Sequence, residues 1–229
     1  MRIVSYNIRK AVGLDWRRDP LRIIRVLEAL DADVVALQEA DKRLGARPAV
    51  LPEDALHDHT GLRALQIDDG PSSGWHGNAI LVRDGWSVRQ TERFSLPGIE
   101  PRGALRADLS GPDGAFTIVG THLGLRRPCR QLQLSHLMTS IGDDAPRTIL
   151  AGDMNEWSPR IGFGILDGVF DVVKPGRSFH TTRPVASLDR FALGRELTYK
   201  DSGVYREGEA KRASDHLPVW IDLDISAPA

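Results

Sequence analysis

The stretch Thr148-Ile149-Leu150-Ala151-Gly152-Asp153-Met154-Asn155 combines a short apolar run with a polar end. An apolar run of this kind predicts a buried strand of a mostly parallel or mixed sheet. Gly152 is expected to let the backbone turn sharply where that strand ends. Asp153 and Asn155 flank an apolar residue, so in extended backbone their side chains point to the same side. Two interpretations are open: a turn of ordinary turn residues, or a carboxylate and an amide placed for phosphoryl chemistry.

Length and composition predict one soluble globular domain over residues 1–229. The chain is 41% hydrophobic and 27% charged, which is ordinary for a protein that buries a sizeable core. Its formal net charge is −1, whereas a protein that holds duplex nucleic acid by its backbone is expected to be basic. A single cysteine, Cys129, predicts neither an internal disulfide nor a thiolate metal cluster. We find no signal-peptide core and no membrane-spanning apolar run, so we expect a cytoplasmic location.

The order of the predicted elements indicates an α/β fold with many strands. Arg2–Ile8 and Val34–Leu37 are predicted strands, and the helix Leu21–Leu30 between them starts at Asp19 as N-cap and Pro20 as first residue. This unit is long enough for a crossover between parallel strands. Further strands or helices are predicted at residues 52–60, 62–67, 77–82, 86–94, 101–105, 116–123, 127–141, 148–151, 161–166, 187–191 and 217–223. We expect one domain with two mixed sheets packed face to face and helices outside.

The predicted helix over residues 127–141 begins with an unusual concentration of positive charge. Arg126, Arg127 and Arg130 lie at its N-terminal end, where positive charge opposes the helix macrodipole. Two explanations are open: the arginines are solvated, or they contact an anion.

Polar residues suited to phosphate chemistry stand at the ends of six predicted strands. Carboxylates together with an amide suit a hard, oxygen-seeking cation such as Mg²⁺ or Mn²⁺. Two histidines with a separate carboxylate suit a phosphate that is held and polarised by hydrogen bonds. Each residue alone also has an ordinary interpretation as a turn, capping, core or surface residue. The set comprises Asn7, Glu39, His122, Asp153, Asn155, Asp189, Asp215 and His216.

Eight short motifs in a fixed order resemble those of the endonuclease/exonuclease/phosphatase superfamily. They run from the first strand to Pro218 and so cover nearly the whole chain; each is weak alone, but the ordered set is specific. The resemblance implies a four-layer α/β/β/α sandwich of the DNase-I-like type and a divalent-metal-dependent hydrolase of phosphate esters. The motifs are Ser5-Tyr6-Asn7-Ile8, Leu37-Gln38-Glu39, Gly77-Asn78-Ala79-Ile80-Leu81, Arg102-Gly103-Ala104-Leu105, Thr121-His122-Leu123, Gly152-Asp153-Met154-Asn155, Leu188-Asp189-Arg190-Phe191 and Ser214-Asp215-His216-Leu217-Pro218.

The resemblance also implies roles at the metal and at the attacking water. Asn7, Glu39 and Asp215 match residues of the Mg²⁺ or Mn²⁺ site, with Glu39 as the direct carboxylate ligand. Asp153 matches the residue that orients or deprotonates the attacking water. Asn155 matches the amide that holds this nucleophile and the phosphate.

A second group of residues is matched to the phosphate and the rest of the substrate. His216 matches the histidine on the scissile phosphate, and Asp189 matches the carboxylate that orients it. His122 matches the second phosphate-contacting histidine. Candidates for substrate binding, on the same resemblance, are Arg102, Asn78 and Arg130.

The sequence departs from the abasic-site nucleases of the superfamily at one informative position. Where those enzymes usually have an acidic residue two positions after the matching asparagine, this chain has Arg9, followed by Lys10. That change argues against a nuclease-style metal site and adds positive charge for an anionic substrate. The motifs are more similar to a bacterial subgroup near the sphingomyelinase-like phosphodiesterases.

We therefore expect a lipid-like or small phosphodiester as the substrate. DNA cleavage, or a non-catalytic module that binds phosphorylated ligands on the same fold, are the alternatives. Loops at residues 43–74, 95–102 and 179–184 are expected to select the substrate. Nothing in the sequence indicates a protein partner or an oligomeric state.

Overall fold

The computed structural model describes residues 1–42, 45–67, 70–158 and 161–225. Positions 43, 44, 68 and 69 of the predicted substrate loop 43–74 lie outside these ranges. The described strands are β1 (Arg2–Asn7), β2 (Val34–Gln38), β3 (Leu62–Ala64), β4 (Gly74–Trp75), β5 (Asn78–Arg83), β6 (Ser87–Leu96), β7 (Arg102–Gly111), β8 (Gly114–His122), β9 (Thr148–Asp153), β10 (Phe170–Val173), β11 (Asp189–Gly194), β12 (Thr198–Val204) and β13 (Val219–Asp224). The described α-helices are α1 (Pro20–Leu30), α2 (Glu53–Thr60), α3 (Arg127–Ile141) and α4 (Ala210–Ala213). Short 3₁₀-helices cover Arg9–Ala11, Gly142–Arg147 and Gly164–Leu166.

The described strands form two mixed sheets. The first has the order β12-β13-β1-β2-β5-β3, with β4 paired to β5, and its strands β1 and β2 are parallel. The second has the order β10-β11-β9-β8-β7-β6, and its strands β8 and β9 are parallel. Helix α1 connects β1 to β2, and helix α3 connects β8 to β9. Because each pair is parallel, its carboxyl ends share one edge of the sheet, and a hydrogen bond from Asn7 to Asp153 shows that the two edges meet.

Three buried hydrophobic clusters define the layers. The first joins α1 and α2 to the outer face of the first sheet, through residues such as Ile24 and Leu56. The second lies between the two sheets and includes Ile3 and Ile118. The third joins α3 to the outer face of the second sheet and includes Leu137. The predicted four-layer α/β/β/α sandwich is therefore confirmed.

Helix α1 starts as the sequence predicts. The side chain of Asp19 accepts a hydrogen bond from the backbone N–H of Arg22 at 3.1 Å, and Pro20 is the first helical residue. The helix ends at Leu30, and the next residue, Asp31, adopts a left-handed conformation with φ of 49°. Neither α1 nor any other helix in the described part of the chain is long and apolar enough to cross a membrane.

Glycine is needed at position 152 for a reason other than the predicted turn. It lies inside β9, paired with Thr121 of β8 and Arg190 of β11, and not at a turn. A Cβ atom on Gly152 would overlap the carbonyl oxygen of Thr121. The sharp change of direction comes later, at Asn155, which has a positive φ of 49°. Gly152 is thus required because the neighbouring backbone approaches closely.

Strand β12 is the longest described strand that the sequence analysis did not predict. Its residues are exposed or partly exposed throughout, and its sequence Thr-Tyr-Lys-Asp-Ser-Gly-Val lacks an apolar repeat. It forms an edge of the first sheet by pairing with β13, with a register shift between Tyr199 and Asp201. An exposed edge strand buries no continuous face, so hydrophobic periodicity cannot reveal it.

Candidate active site

Strand pairing brings the predicted site residues together from both sheets. In the second sheet His122 is the register partner of Asp153, and Asp153 is the register partner of Asp189. These three residues therefore form a row across β8, β9 and β11. In the first sheet Asn7 ends β1, and His216 lies just before β13, the antiparallel neighbour of β1.

Asp153 is the centre of this cluster. Its Oδ2 accepts a hydrogen bond from Nδ2 of Asn7 at 3.0 Å, and Oδ1 accepts one from the backbone N–H of Asn155 at 3.0 Å. The Nε2 atoms of His122 and His216 lie 3.3 and 3.6 Å from the same Oδ2. The side chain of Asp153 is only 2% exposed. One buried carboxylate thus lies beside both histidines, the side chain of Asn7 and the backbone of Asn155.

The surroundings of Asp153 keep its carboxylate ionised. Burial raises the pKa of Asp153, but the two imidazoles and the hydrogen bonds from Asn7 and Asn155 together lower that pKa below its ordinary value. An ionised carboxylate in this position can accept a proton at neutral pH.

His216 is held by a second buried carboxylate. Its Nδ1 lies 2.8 Å from Oδ2 of Asp189, and Ser178 donates its hydroxyl hydrogen to that same oxygen. Burial lowers the pKa of His216, but Asp189 and Asp153 outweigh this and raise the pKa to about 10. The ring of Phe179 packs against the imidazole, with 4.9 Å between ring centroids. These carboxylates therefore favour the protonated, positively charged form of His216.

His122 differs from His216 in charge. Burial is the largest influence and lowers the pKa of His122 to about 4, despite the attraction of Asp153; the guanidinium of Arg102 lowers it further. A neutral imidazole still has one N–H group that can donate a hydrogen bond. The site thus combines one cationic and one neutral histidine next to the same carboxylate.

A cavity of about 260 Å³ lies beside His122. Glu39, Lys10 and Arg102 line it together with Asp41, Arg47, His76, Gly77, Glu100, Pro101 and His122. The ammonium of Lys10 contacts Oε2 of Glu39. Burial raises the pKa of Glu39, but the hydrogen bond and the charge of Lys10 bring that pKa below its ordinary value. Arg102 donates to Oε2 of Glu100 from Nε at 3.1 Å and from Nη2 at 2.7 Å.

The residues predicted to hold a metal offer oxygen atoms. Glu39 and Asp215 supply carboxylates, and Asn7 supplies an amide oxygen that accepts the backbone N–H of Arg9 at 3.2 Å. Both carboxylates have a cationic partner, Lys10 for Glu39 and Arg9 for Asp215, the latter at 3.6 Å. Oxygen donors of this kind are those that Mg²⁺ and Mn²⁺ prefer.

The structure does not bring Asn78 and Arg130 to Asp153. Nδ2 of Asn78 donates to the carbonyl oxygens of Trp75 at 3.1 Å and of Gly103 at 2.9 Å. Arg130 is buried and donates to Oε2 of Glu156 at 2.8 Å and to the carbonyl oxygen of Leu125 at 2.6 Å. Both side chains have internal partners, so the geometry supports structural roles for them and gives no support to the predicted contact with a substrate phosphate.

Glu156 is a buried residue next to Asn155 that was not singled out from the sequence. Its carboxylate accepts hydrogen bonds from Arg127 at 2.9 Å and Arg130 at 2.8 Å, and it is 1% exposed. The basic start of the α3 helix is thus explained by an anion inside the protein. Glu156 follows Asn155 directly, which was the available signal. Ser178 carried no signal, because its contact with Asp189 depends on how an intervening loop folds.

Comparisons with known proteins identify the family of the chain. The Endonuclease/Exonuclease/phosphatase family matches residues 4–216, and the chain belongs to that family. Its fold is therefore that of a phosphoesterase-like protein, and enzymes of this family typically depend on divalent metals and hydrolyse phosphoester bonds.

Similar proteins extend over nearly the whole chain. The uncharacterized protein YbhP of Escherichia coli (strain K12) is 28% identical over 249 residues, covering 99% of this chain and 93% of that protein. A solved endonuclease/exonuclease/phosphatase from Beutenbergia cavernae DSM 12333 has a TM-score of 0.76 at 21% identity, covering 99% of this chain and 72% of the other. A mannosyl-6-phosphatase from Bacteroides thetaiotaomicron VPI-5482 has a TM-score of 0.72 at 18% identity, covering 97% and 99%. At these identities the solved structures show the fold alone.

Proposed function

We propose that this protein is a divalent-metal-dependent phosphodiesterase whose substrate is a lipid-like or small phosphodiester. The observation that carries the proposal is the buried carboxylate of Asp153, which lies within 3.6 Å of two histidines and accepts hydrogen bonds from two asparagines. Family membership supports hydrolysis of a phosphoester bond. The cytoplasmic location and the single-domain organisation stay predictions.

The side chains suit in-line attack by water on phosphorus. Asp153 accepts the proton as the water oxygen forms its bond to phosphorus and the bond to the leaving oxygen breaks. Asn155 donates its Nδ2 hydrogen to the carbonyl oxygen of Leu123 at 2.8 Å, which leaves its amide oxygen to hold the water. His216 places a fixed positive charge beside the phosphoryl oxygens, and Asp189 keeps it oriented. His122 adds a neutral N–H donor.

Glu39, with Asn7 and Asp215, would hold the divalent cation. Bound there, Mg²⁺ or Mn²⁺ would supply Lewis-acid polarisation of the phosphate oxygens and offset the charge that develops on them. Arg102, which lines the same cavity as Glu39 and His122, is our remaining candidate for binding the substrate.

Charge favours a small or lipid-like ester over DNA. The chain has a formal net charge of −1, and long polyanions are held mainly by many phosphate contacts to basic residues. The three cations Lys10, Arg47 and Arg102 that line the cavity are each paired with a carboxylate. The mannosyl-6-phosphatase of the same fold acts on a phosphomonoester, so a monoester belongs in the test.

The proposal is tested by parallel turnover assays with added Mg²⁺ or Mn²⁺ and with EDTA as the blank. The substrates are bis(p-nitrophenyl) phosphate, p-nitrophenyl phosphate, and nicked or abasic duplex DNA. We expect metal-dependent cleavage of the diester to be the fastest. Strong DNA cleavage at physiological salt without small-ester turnover would overturn the substrate class. Binding of phosphoesters without any metal-dependent turnover would contradict the proposed enzymatic activity and favour a non-catalytic binding module.

A further inference from the structure

The turn that follows β1 has an unusual backbone. Arg9, Lys10 and Ala11 have positive φ angles of 46°, 57° and 57°. This left-handed region is unfavourable for any residue with a side chain, and consecutive examples are rare. Here backbone hydrogen bonds stabilise the turn, from Ala11 N to the carbonyl oxygen of Ile8 at 2.7 Å and from Lys10 N to that of Glu39 at 2.9 Å. The fold therefore maintains a costly conformation at this point.

The turn places both the backbone N–H and the side-chain ammonium of Lys10 against Glu39. The backbone N–H of Lys10 donates to the carbonyl oxygen of Glu39, and its ammonium contacts the carboxylate of the same residue. The backbone of Glu39 also adopts the left-handed conformation, with φ of 53°. The side chains are 28% and 29% exposed, so the pair is shielded from bulk water but open to the cavity.

We propose that Lys10 is a built-in counter-ion of Glu39 that competes with the divalent cation for this carboxylate and so sets the metal affinity of the site. The inference rests on the proposed function in one respect, that Glu39 holds the metal. A cation approaching Glu39 meets the ammonium of Lys10, and like charges repel strongly where water is partly excluded. The ammonium must therefore leave before the carboxylate can bind a metal.

The surroundings provide a place for the displaced ammonium. Lysine is a flexible chain with a compact charge and can swing through its four methylene groups. The cavity also contains Arg102 and His122, the residues beside which a substrate phosphate would lie. The ammonium can thus move from the Glu39 carboxylate toward a phosphate oxygen when metal and substrate enter together.

An ordinary surface ion pair is the simpler alternative. Such pairs contribute little and need no special backbone. That alternative does not account for the left-handed turn, for the hydrogen bond from the backbone of Lys10 to Glu39, or for the position of the pair on the cavity wall beside His122. The competition hypothesis accounts for all three.

The test measures binding of Mn²⁺ to the full-length, metal-free protein by titration calorimetry and electron paramagnetic resonance. Lys10→Met keeps an unbranched side chain of similar length but removes the charge, and we expect it to bind Mn²⁺ on the order of tenfold more tightly than the unmodified protein. Lys10→Arg keeps the charge and should stay within about threefold of the unmodified protein, because the repulsion persists. Lys211→Met removes an exposed charge on α4 and is the matched control, for which we expect unchanged affinity.

Glu39→Gln separates the failure of this inference from the failure of the proposed metal site. We expect Glu39→Gln to lose Mn²⁺ binding both alone and combined with Lys10→Met. If Glu39→Gln loses binding but Lys10→Met leaves the affinity unchanged or weaker, Lys10 does not compete and the metal role of Glu39 stands. If Glu39→Gln binds Mn²⁺ normally, the metal is not held by Glu39 and both proposals fail. Thermal unfolding in EDTA checks that every variant is folded.

Discussion

At the scale of single residues, the pKa values of the two histidines beside Asp153 are shifted in opposite directions. Burial lowers both, but Asp189 and Asp153 together outweigh it at His216, whereas at His122 burial outweighs the attraction of Asp153. The pairing of Asp189 with His216 was expected from the resemblance, but the contrast in charge could not be predicted from the sequence, because it depends on how burial and the nearby carboxylates offset each other at each ring.

The first prediction concerns the catalytic role of Asp153 and His216. Asp153→Asn removes the proton acceptor and His216→Ala removes the fixed cation, so each should lower kcat by at least about 10²-fold. The measurement is metal-dependent turnover of bis(p-nitrophenyl) phosphate. Exposed residues provide matched controls, Asp171→Asn on β10 and His136→Ala on α3, which should retain activity within about twofold. Losses of tenfold or less in both site variants would contradict the assigned roles.

The second prediction concerns the pH dependence of stability. The folded-state pKa of His216 is raised to about 10, whereas in unfolded chains a histidine pKa is about 6.5. The raised pKa stabilises the protein fully below the unfolded pKa, and this contribution is lost as pH rises toward the folded pKa. The difference in unfolding free energy between the unmodified protein and His216→Gln should thus shrink between about pH 6.5 and 10.

Denaturant titrations in EDTA at several pH values measure that difference. His136→Gln, in an exposed position, serves as the control and should change the unfolding free energy by less than about 0.5 kcal/mol. A constant difference for His216→Gln would mean that His216 is not a protonated partner of Asp189.

At the scale of structural elements, Glu156 anchors the loop after β9 to the start of α3. Arg127 and Arg130 donate to its carboxylate, and Arg190 of β11 donates to its carbonyl oxygen at 2.6 Å. The backbone N–H of Ser158 donates to the same carboxylate at 2.8 Å. These contacts fix the segment that follows Asp153 and Asn155, and so they support the catalytic strand end from outside.

The third prediction tests this anchor. Glu156→Ala leaves Arg130, which is 5% exposed, as a buried guanidinium without its carboxylate, so we expect a loss of about 3 kcal/mol in unfolding free energy. Urea denaturation measures the loss. Glu92→Ala on the exposed face of β6 is the control and should change stability by less than about 0.5 kcal/mol. A loss below 1 kcal/mol for Glu156→Ala would show that the network is not a structural anchor.

The predicted elements were most accurate where an apolar pattern was strong. Residues 34–37 and 148–151 are buried strands as predicted, and α1 begins at its predicted cap. Gly152 was singled out from the sequence, but the structural need for glycine there was not predicted, because the close approach of Thr121 depends on tertiary packing. Arg130 was predicted to bind substrate on the family resemblance, whereas in the structure it donates to Glu156, which is 26 residues away in sequence.

At the scale of the whole molecule, the sequence predicted the two-sheet sandwich, and the structure and the family match confirm it. That prediction rested on ordered motifs at the ends of strands, because parallel strands bring their carboxyl ends to the same edge of a sheet. Cavity shape and side-chain pairing in the cavity could not be predicted, because Lys10, Asp41, Arg47 and Arg102 come from separate loops and strands whose packing no local pattern specifies.

The fourth prediction uses the overall charge. With a formal net charge of −1 there is little long-range attraction for salt to screen, so kcat/KM for a small phosphodiester should change by less than about threefold between 50 and 200 mM NaCl. A substrate held by many phosphate contacts would instead lose affinity by orders of magnitude over that range. Turnover of bis(p-nitrophenyl) phosphate and of duplex DNA at both salt concentrations distinguishes the two.

The position of β13 in the first sheet has a consequence for how the protein folds. Strand Val219–Asp224 lies between β1 and β12, so Arg2 of β1 pairs with Asp222, which is 220 positions away in sequence. His216, just before β13, meets Asp189 of the second sheet. The candidate site is therefore completed by contacts between distant parts of the sequence, and such contacts are intrinsically slow to form during folding.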